Sequence, residues 1–415
     1  MLFKRAFCTS FIKPITIVSL LCVGLINQLN AQYFELDSNR KRISLPFKLV
    51  RNMVVVEASI NNKGPFNFIL DTGVGLMLIT DPTLVDSLQI NNKRTVKVAG
   101  LGEGGDAEAF ITSPLAVNIS NIKSYNVAAA ILKKDHFSLS NFLGMQVHGL
   151  LGYEFFSRLA VQVNFADSTL SISRPTDLRV FKKGERISIS IEERKPYVTT
   201  KITMPDGTVS YKKLIIDLGA GHPVSLENLI RSKGLPEKFI AANLGIGLNG
   251  PISGFISRIK QLNIGSFNIK GPLTSFPDDS NTTLKLAVAR DGNLGTGILK
   301  RFNVIFDYYN GAMYLKKNKN YKMPFEHDMS GLEYFAGGKD HKHIIISRVE
   351  PGSPAYNLGL EKYDEIVTIN FKPVAKMTLE EIDDLFRSKD GRNLLLEVYH
   401  DKKYDNVILT LKRRI

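Results

Sequence analysis

The first strong pattern along the chain is an apolar strand that runs straight into an aspartate. In FNFILDTGVGLMLIT, residues 66–80, the apolar run ends at Asp71 and two glycines follow, separated by one residue. The same order of apolar and polar positions returns in KKLIIDLGAGHPVSL, residues 212–226, where Asp217 lies 146 positions after Asp71. A Gly-rich segment follows each aspartate. Gly100-Leu101-Gly102-Glu103-Gly104-Gly105 precedes Phe110-Ile111 and Asn118-Ile119, and Gly245-Ile246-Gly247-Leu248-Asn249-Gly250 precedes Phe255-Ile256 and Asn263-Ile264, an offset of 145 for the phenylalanines and the Asn-Ile pairs. A third match sets Arg158 to Phe165 and Thr169 to Ile172 beside Arg301 to Tyr308 and Ala312 to Leu315. Each reads as a β-hairpin, turning at Ala166-Asp167-Ser168 in one copy and at Tyr309-Asn310-Gly311 in the other. Three collinear matches, at offsets of 146, 145 and 143, predict that the region from about 33 to 316 is two copies of one β-rich lobe.

The pattern changes after the basic stretch Lys316 to Lys322. Ile344 to Val349 reads as a strand, Glu350-Pro351-Gly352-Ser353-Pro354 as a turn, and Ala355 to Leu358 as a short helix stopped at Gly359. Next come the strand Ile366 to Ile369 and a helix opening at Thr378 with Glu381 three residues on, a capping box whose helix has Leu379, Ile382, Leu385 and Phe386 on one face. Leu394 to Tyr399 and Val407 to Leu411 close a small α+β unit as strands.

Composition narrows the class. At 415 residues the chain is too long for one ordinary core, and 44% apolar with 23% charged residues is the balance of a folded protein. Residues 1–31 combine Lys4, Arg5 and Lys13 with an acid-free apolar run from Ile15 to Ile26 and a small-residue exit at Ala31, the pattern of a cleaved secretory signal peptide. Both cysteines, Cys8 and Cys22, fall in that segment, so a mature chain excludes disulfides, zinc thiolates and cysteine nucleophiles. Export without disulfides points to a bacterial envelope or periplasmic protein, with no transmembrane segment expected in the mature chain. The net charge of +14 falls to +11 without Lys4, Arg5 and Lys13, and export argues against nucleic acid as its partner.

One Asp-x-Gly is a common turn. Two at matching places in duplicated lobes call for another account, because a two-fold arrangement brings equivalent loops face to face. Carboxylates held about 3 Å apart retain one proton between them. The charged member then acts as general base on a water while the protonated one polarises a carbonyl. Gly73 and Gly219 permit close backbone approach at Asp71 and Asp217. Gly100, Gly102, Gly104 and Gly105, with Gly245, Gly247 and Gly250 in the second copy, suit hairpin tips that close over a substrate. The histidines form no His-Glu-x-x-His motif and no cluster with carboxylates at ligand spacing, His341-x-His343 reads as a solvated strand edge, and no Gly-x-Ser-x-Gly elbow is present, so no metal or other cofactor is expected.

On these residues the region resembles the pepsin and retropepsin superfamily of aspartic proteases, and more narrowly the exported bacterial retropepsin-like aspartyl proteases with a PDZ domain. Asp71-Thr72-Gly73 matches the family's Asp-Thr-Gly. Leu150-Leu151-Gly152 and Asn293-Leu294-Gly295 match the strand that supports each active-site loop. The resemblance implies a mainly β, bilobal acid-protease fold followed by a PDZ domain: lobes at 32–178 and 179–316, a basic linker at 317–328 and the PDZ domain at 329–415. It implies an aspartic endopeptidase acting on peptide or unfolded protein, with Asp71 and Asp217 catalytic and Thr72, Gly73, Leu218 and Gly219 shaping the site. Leu218 departs from the pattern, since the family has Thr or Ser there and uses that hydroxyl in a hydrogen bond between lobes. A catalytically inactive peptide-binding or scaffold protein on the same fold is the alternative that Leu218 favours. Val349-x-Pro351-Gly352-Ser353-Pro354-Ala355 resembles PDZ domains of envelope proteases, with Tyr363 replacing a common glycine. By that resemblance Gly331, Leu332, Glu333 and Tyr334 form the loop that binds the carboxylate of a chain-end ligand.

Overall fold

The computed structural model describes residues 33–415 apart from 38, 91–92, 99–106, 231–233, 249 and 279–286. The segment expected to be a signal peptide lies outside these described residues, as do Gly100, Gly102, Gly104 and Gly105.

The duplication is visible in the order of the strands. In the first sheet, neighbours run Ile122–Val127, Leu115–Ile119, Met53–Ile60, Lys63–Leu70, Gly149–Leu151, Met77–Ile79, Ala129–Leu132, Ala107–Thr112, Lys93–Val98. The second sheet repeats that order with Phe267–Lys270, Gln261–Ile264, Lys195–Thr203, Val209–Asp217, Gly292–Gly295, Val224–Leu226, Leu273–Pro277, Gly250–Arg258, Phe239–Gly247. The strand that leads into each aspartate is central. Lys63–Leu70 pairs in parallel with Gly149–Leu151, and Val209–Asp217 pairs in parallel with Gly292–Gly295. Phe68, Ile69 and Leu70 have no exposed surface. Phe68 and Leu70 point into the main core and Ile69 into a smaller cluster on the opposite face, which is why the strand reads as an unbroken apolar run.

The third repeated segment joins the lobes. Ala160–Asn164 pairs antiparallel with Phe302–Asp307, Val163 opposite Val304, so the two hairpins build a common sheet flanked by Arg42–Pro46 and Glu185–Ser188. One apolar core runs through both lobes as a result. Phe156 sits at its centre, with its ring 5.6 Å from Phe155, 5.6 Å from Phe306 and 5.5 Å from Tyr308.

Residues 329–415 form a separate core around Ile346, Ile366, Ile382, Phe386 and Leu396. Their sheet runs Leu332–Gly337, His343–Val349, Glu365–Ile369, Asn393–His400, Lys403–Thr410. The helix Leu379–Phe386 begins with the full capping box of Thr378 and Glu381. Tyr363, where the resembled family has glycine, takes a φ of 80°, the left-handed backbone that glycine adopts without strain. The basic connection before this domain is held down. The Arg301 guanidinium donates to the carbonyls of Tyr321, Met323 and Pro324 and lies over the Phe325 ring.

Truncating Phe156 to alanine removes a ring shared by both lobes. A loss of about 3–5 kcal/mol in unfolding free energy is expected. Chemical denaturation measures it, and a loss below about 1 kcal/mol would show that the lobes do not depend on this cluster.

Candidate active site

Each aspartate sits where its strand ends, held by the parallel strand beside it. Asp71 donates its amide to the Leu151 carbonyl at 2.9 Å, and Asp217 lies opposite Gly295 in the ladder. Gly152, just after the first supporting strand, and Gly295, at the end of the second, leave no room for a side chain. A methyl at Gly152 would lie 2.1 Å from the Val74 carbonyl oxygen, and one at Gly295 would lie 2.0 Å from that of His222.

The two loops meet. A methyl at Gly73 would lie 3.0 Å from Asp71 Oδ1 and 3.1 Å from Asp217 Oδ1, and one at Gly219 would lie 2.2 Å from Asp71 Oδ2. The carboxyl groups of Asp71 and Asp217 face each other, close enough for Asp217 to raise the proton affinity of Asp71. The Gly73 amide donates to Asp71 Oδ1 at 2.7 Å and the Gly219 amide to Asp217 Oδ1 at 2.9 Å. Asn293 Nδ2 adds a bond to Asp217 Oδ2 at 3.0 Å, whereas Leu150 occupies the equivalent place beside Asp71. Burial first, and then the charge of Asp217, hold the Asp71 carboxyl well above the usual carboxylate range. The Gly73 amide and the more distant Lys195 pull it back only in part.

Thr72 binds the other lobe from beneath. Its hydroxyl donates to the Ile216 carbonyl at 2.6 Å and accepts the Leu218 amide at 3.0 Å. Leu218 has no exposed surface and joins the main core, while its carbonyl accepts the Thr296 hydroxyl at 3.1 Å.

A second contact ties the loops across the cleft. The turn Arg51-Asn52 before one central hairpin and the turn Glu193-Arg194 before the other have matching left-handed backbones, φ 45° and 66° against 46° and 63°. Asn52 Nδ2 donates to the Gly221 carbonyl at 2.8 Å, and Arg194 Nη1 donates to that of Gly75 at 3.4 Å. Each lobe thereby holds the glycine that ends the other lobe's Asp-x-Gly-x-Gly.

In the second lobe Phe239–Gly247 and Gly250–Arg258 form the hairpin that carries the expected tip glycines. Gly245 and Gly250 take φ of 121° and 108°, Gly247 pairs with Gly250, and Leu248 packs on the small apolar cluster of the first lobe. Gly331, Leu332, Glu333 and Tyr334 enter the outer strand of the C-terminal sheet. The Gly331 amide is taken by Asp328 Oδ1 at 2.8 Å and the Leu332 amide by Ser330 Oγ at 3.0 Å.

Three neighbours of the aspartates carry no local motif. In the antiparallel ladder Tyr197 faces Ile215, which aligns Lys195 with Asp217; the first lobe has Met53 at that place. Burial and then the Arg290 guanidinium push the Lys195 pKa down, and both aspartates pull it up. The Tyr308 hydroxyl is buried without a hydrogen-bond partner among the described residues, its pKa raised by burial and by both aspartates. Burial lowers the pKa of His222, the residue after Gly221. Aligning the strands that precede the two aspartates would have marked Lys195, but nothing local marks Tyr308.

Comparison with known proteins identifies two regions of the chain. The aspartyl protease family matches residues 56–155, which include Asp71 and stop short of Asp217, and the PDZ domain family matches residues 345–399. A curated relative, the carboxy-terminal processing protease CtpA of Bacillus subtilis (strain 168), is 28% identical over 124 residues. That match takes in 30% of this chain and spans about a quarter, 26%, of the relative's own length. Among solved structures, an aspartic proteinase from Irpex lacteus aligns with a TM-score of 0.43 at 12% identity, over 68% of this chain and 99% of that one. The chain therefore joins an aspartyl protease family region to a C-terminal PDZ domain.

Proposed function

We propose that the protein is an aspartic endopeptidase that hydrolyses peptide bonds of extended or unfolded chains. The observation that carries this reading is the meeting of Asp71 and Asp217, from the two halves of a duplication, across one narrow gap. Their surroundings support a division of roles. Asp217 receives N–H donors on both oxygens, which favours charge there, whereas Asp71 has one donor and deeper burial, which favours the proton.

In this mechanism Asp217 removes a proton from a water whose oxygen bonds to the scissile carbonyl carbon. Asp71 gives its proton to the carbonyl oxygen. When the tetrahedral diol collapses, the C–N bond breaks, the proton on Asp217 passes to the leaving nitrogen, and a diol hydroxyl returns a proton to Asp71. The hairpin Phe239–Arg258, with its tip resting on the first lobe, would cover the substrate and exclude water. Export rests on the sequence of residues 1–31, and the PDZ domain supports binding of peptide.

An inactive peptide binder is the second reading, and Leu218 is the observation that favours it. Magnitudes weigh against it. A missing neutral hydrogen bond is worth about 0.5–1.5 kcal/mol, while Leu218 adds a fully buried side chain to the core. Thr72 supplies both remaining bonds between the loops.

Purified protein incubated with a denatured protein between pH 3 and 8 should yield fragments, and Asp71→Ala or Asp217→Ala should lower the rate by roughly 10²–10⁴-fold. Intact substrate with the unsubstituted protein would leave the binding reading standing. Thr72→Val strands the Leu218 amide and the Ile216 carbonyl, at about 1–3 kcal/mol each, so it should destabilise the fold more than Leu218→Thr does. Equal melting temperatures for those two variants would show that Thr72 is not what ties the loops. Asp71 supplies a pH test. Because its folded pKa is raised, ionising it costs stability as pH rises, and the cost is absent below the unfolded value near ~3.9. Asp71→Asn should therefore melt higher than the unsubstituted protein at pH 7, the gap closing toward pH 3. A lower melting temperature at pH 7 would contradict the buried shared proton.

A further inference from the structure

The two cross-cleft turns are equivalent in backbone but not in what their arginines do. In the second lobe the Arg194 side chain is 53% exposed, reaching Gly75 and, at 4.0 Å, the Glu154 carboxylate. In the first lobe the Arg51 side chain is 9% exposed and turns away from the cleft into the PDZ domain. Its Nη2 pairs with Asp383 Oδ1 at 3.3 Å, and its Nη1 donates to the carbonyls of Tyr334 at 3.3 Å and Phe142 at 2.9 Å. The guanidinium lies 4.8 Å from the Phe142 ring centre and 4.9 Å from that of Tyr334. The Arg51 amide donates to Glu380 Oε2 at 3.2 Å.

Phe142 belongs to the first lobe, and the other partners lie on two neighbouring elements of the PDZ domain. Tyr334 belongs to the outer strand Leu332–Gly337, whose partner in the sheet is His343–Val349, while Glu380 and Asp383 belong to the helix Leu379–Phe386. The Tyr334 hydroxyl also donates to Asp383. A strand added along this edge would need the Tyr334 carbonyl that Arg51 now holds.

On the cleft side, the same turn bears on the Asp217 loop. A methyl at Gly221 would lie 2.8 Å from the Arg51 carbonyl oxygen, so that backbone is in close contact with the loop. Lys300 Nζ donates to Asn52 Oδ1 at 2.7 Å and thereby turns Asn52 Nδ2 toward the Gly221 carbonyl. Gly221 is four residues from Asp217.

We propose that Arg51 is a positioning residue through which the PDZ domain holds the Asp217 loop in place for catalysis. The proposal rests on the reading of Asp71 and Asp217 as a catalytic pair. The buried guanidinium fixes the turn because it satisfies both elements at once, and a shorter or single-point cation cannot do so. Arg194, exposed on the opposite side, has no such support.

The test uses the full chain, with Asp383→Asn, which removes the negative charge that pairs with Arg51 without touching the cleft, and Arg51→Lys, which withdraws the guanidinium fork from Tyr334 and Asp383 while keeping the charge and the left-handed turn. Amide hydrogen exchange is read at residues 217–222, with protection at 344–349 reporting that the PDZ domain is folded. Both variants should exchange faster at 217–222 and lose about 2- to 30-fold in kcat with KM nearly unchanged. Arg194→Lys, its side chain already half in solvent, should change exchange at 217–222 less than Arg51→Lys. Unchanged exchange at 217–222 in both Asp383→Asn and Arg51→Lys, with 344–349 protected, overturns the proposal. If Asp383→Asn does not fold, Arg51→Lys decides by the same readout. Faster exchange in a protein that cleaves nothing would keep the coupling and sink the protease reading instead.

Discussion

Two carboxyl groups in one small, half-dry space repel each other unless a proton stands between them, and ionising both would cost far more than the site could recover. Much of the molecule is arranged around that constraint. The parallel strands end at the aspartates, glycines at 73, 152, 219 and 295 remove the side chains that would force the loops apart, and Thr72 ties the loops together from below. Each feature is a backbone requirement that the sequence meets with a particular residue type.

The pseudo-two-fold that brings the aspartates together keeps the Gly73 and Gly219 amides equivalent but is broken at three places around them. Asn293 stands opposite Leu150, Lys195 opposite Met53, and Leu218 opposite Thr72. Identical surroundings would leave the proton equally on both carboxyls. The differences accumulate on the Asp217 side as hydrogen-bond donors and on the Asp71 side as burial, which is the asymmetry that the proposed division into base and acid needs. Leu218 belongs to this set. It gives up a polar bond between lobes and gains apolar contact in a core that both lobes share.

What could be read from the sequence was whatever a short segment fixes by itself. Asp71 and Asp217 were legible because Asp-x-Gly-x-Gly after an apolar strand recurs, and the helix at Thr378 because its capping box is local. The two hairpins 160–173 and 302–317 were legible as hairpins, but their pairing with each other depends on residues some 140 positions apart and left no local mark. Arg51 escaped for the same reason: an arginine before a strand is ordinary, and its partners Phe142, Tyr334 and Asp383 come from three distant parts of the chain. The basic linker read as a solvated connection, yet Arg301 and Phe325 fasten it to the second lobe.

The sheet shared by the two lobes has a mechanical consequence. With Ala160–Asn164 laddered to Phe302–Asp307 and one core passing through both lobes, the halves cannot swing apart to admit a chain without breaking that ladder. In the proposed enzyme a chain would therefore enter past the hairpin Phe239–Arg258, whose tip is held to the first lobe by the half-buried Leu248, an anchor worth roughly 1 kcal/mol against a whole ladder of bonds beneath the aspartates.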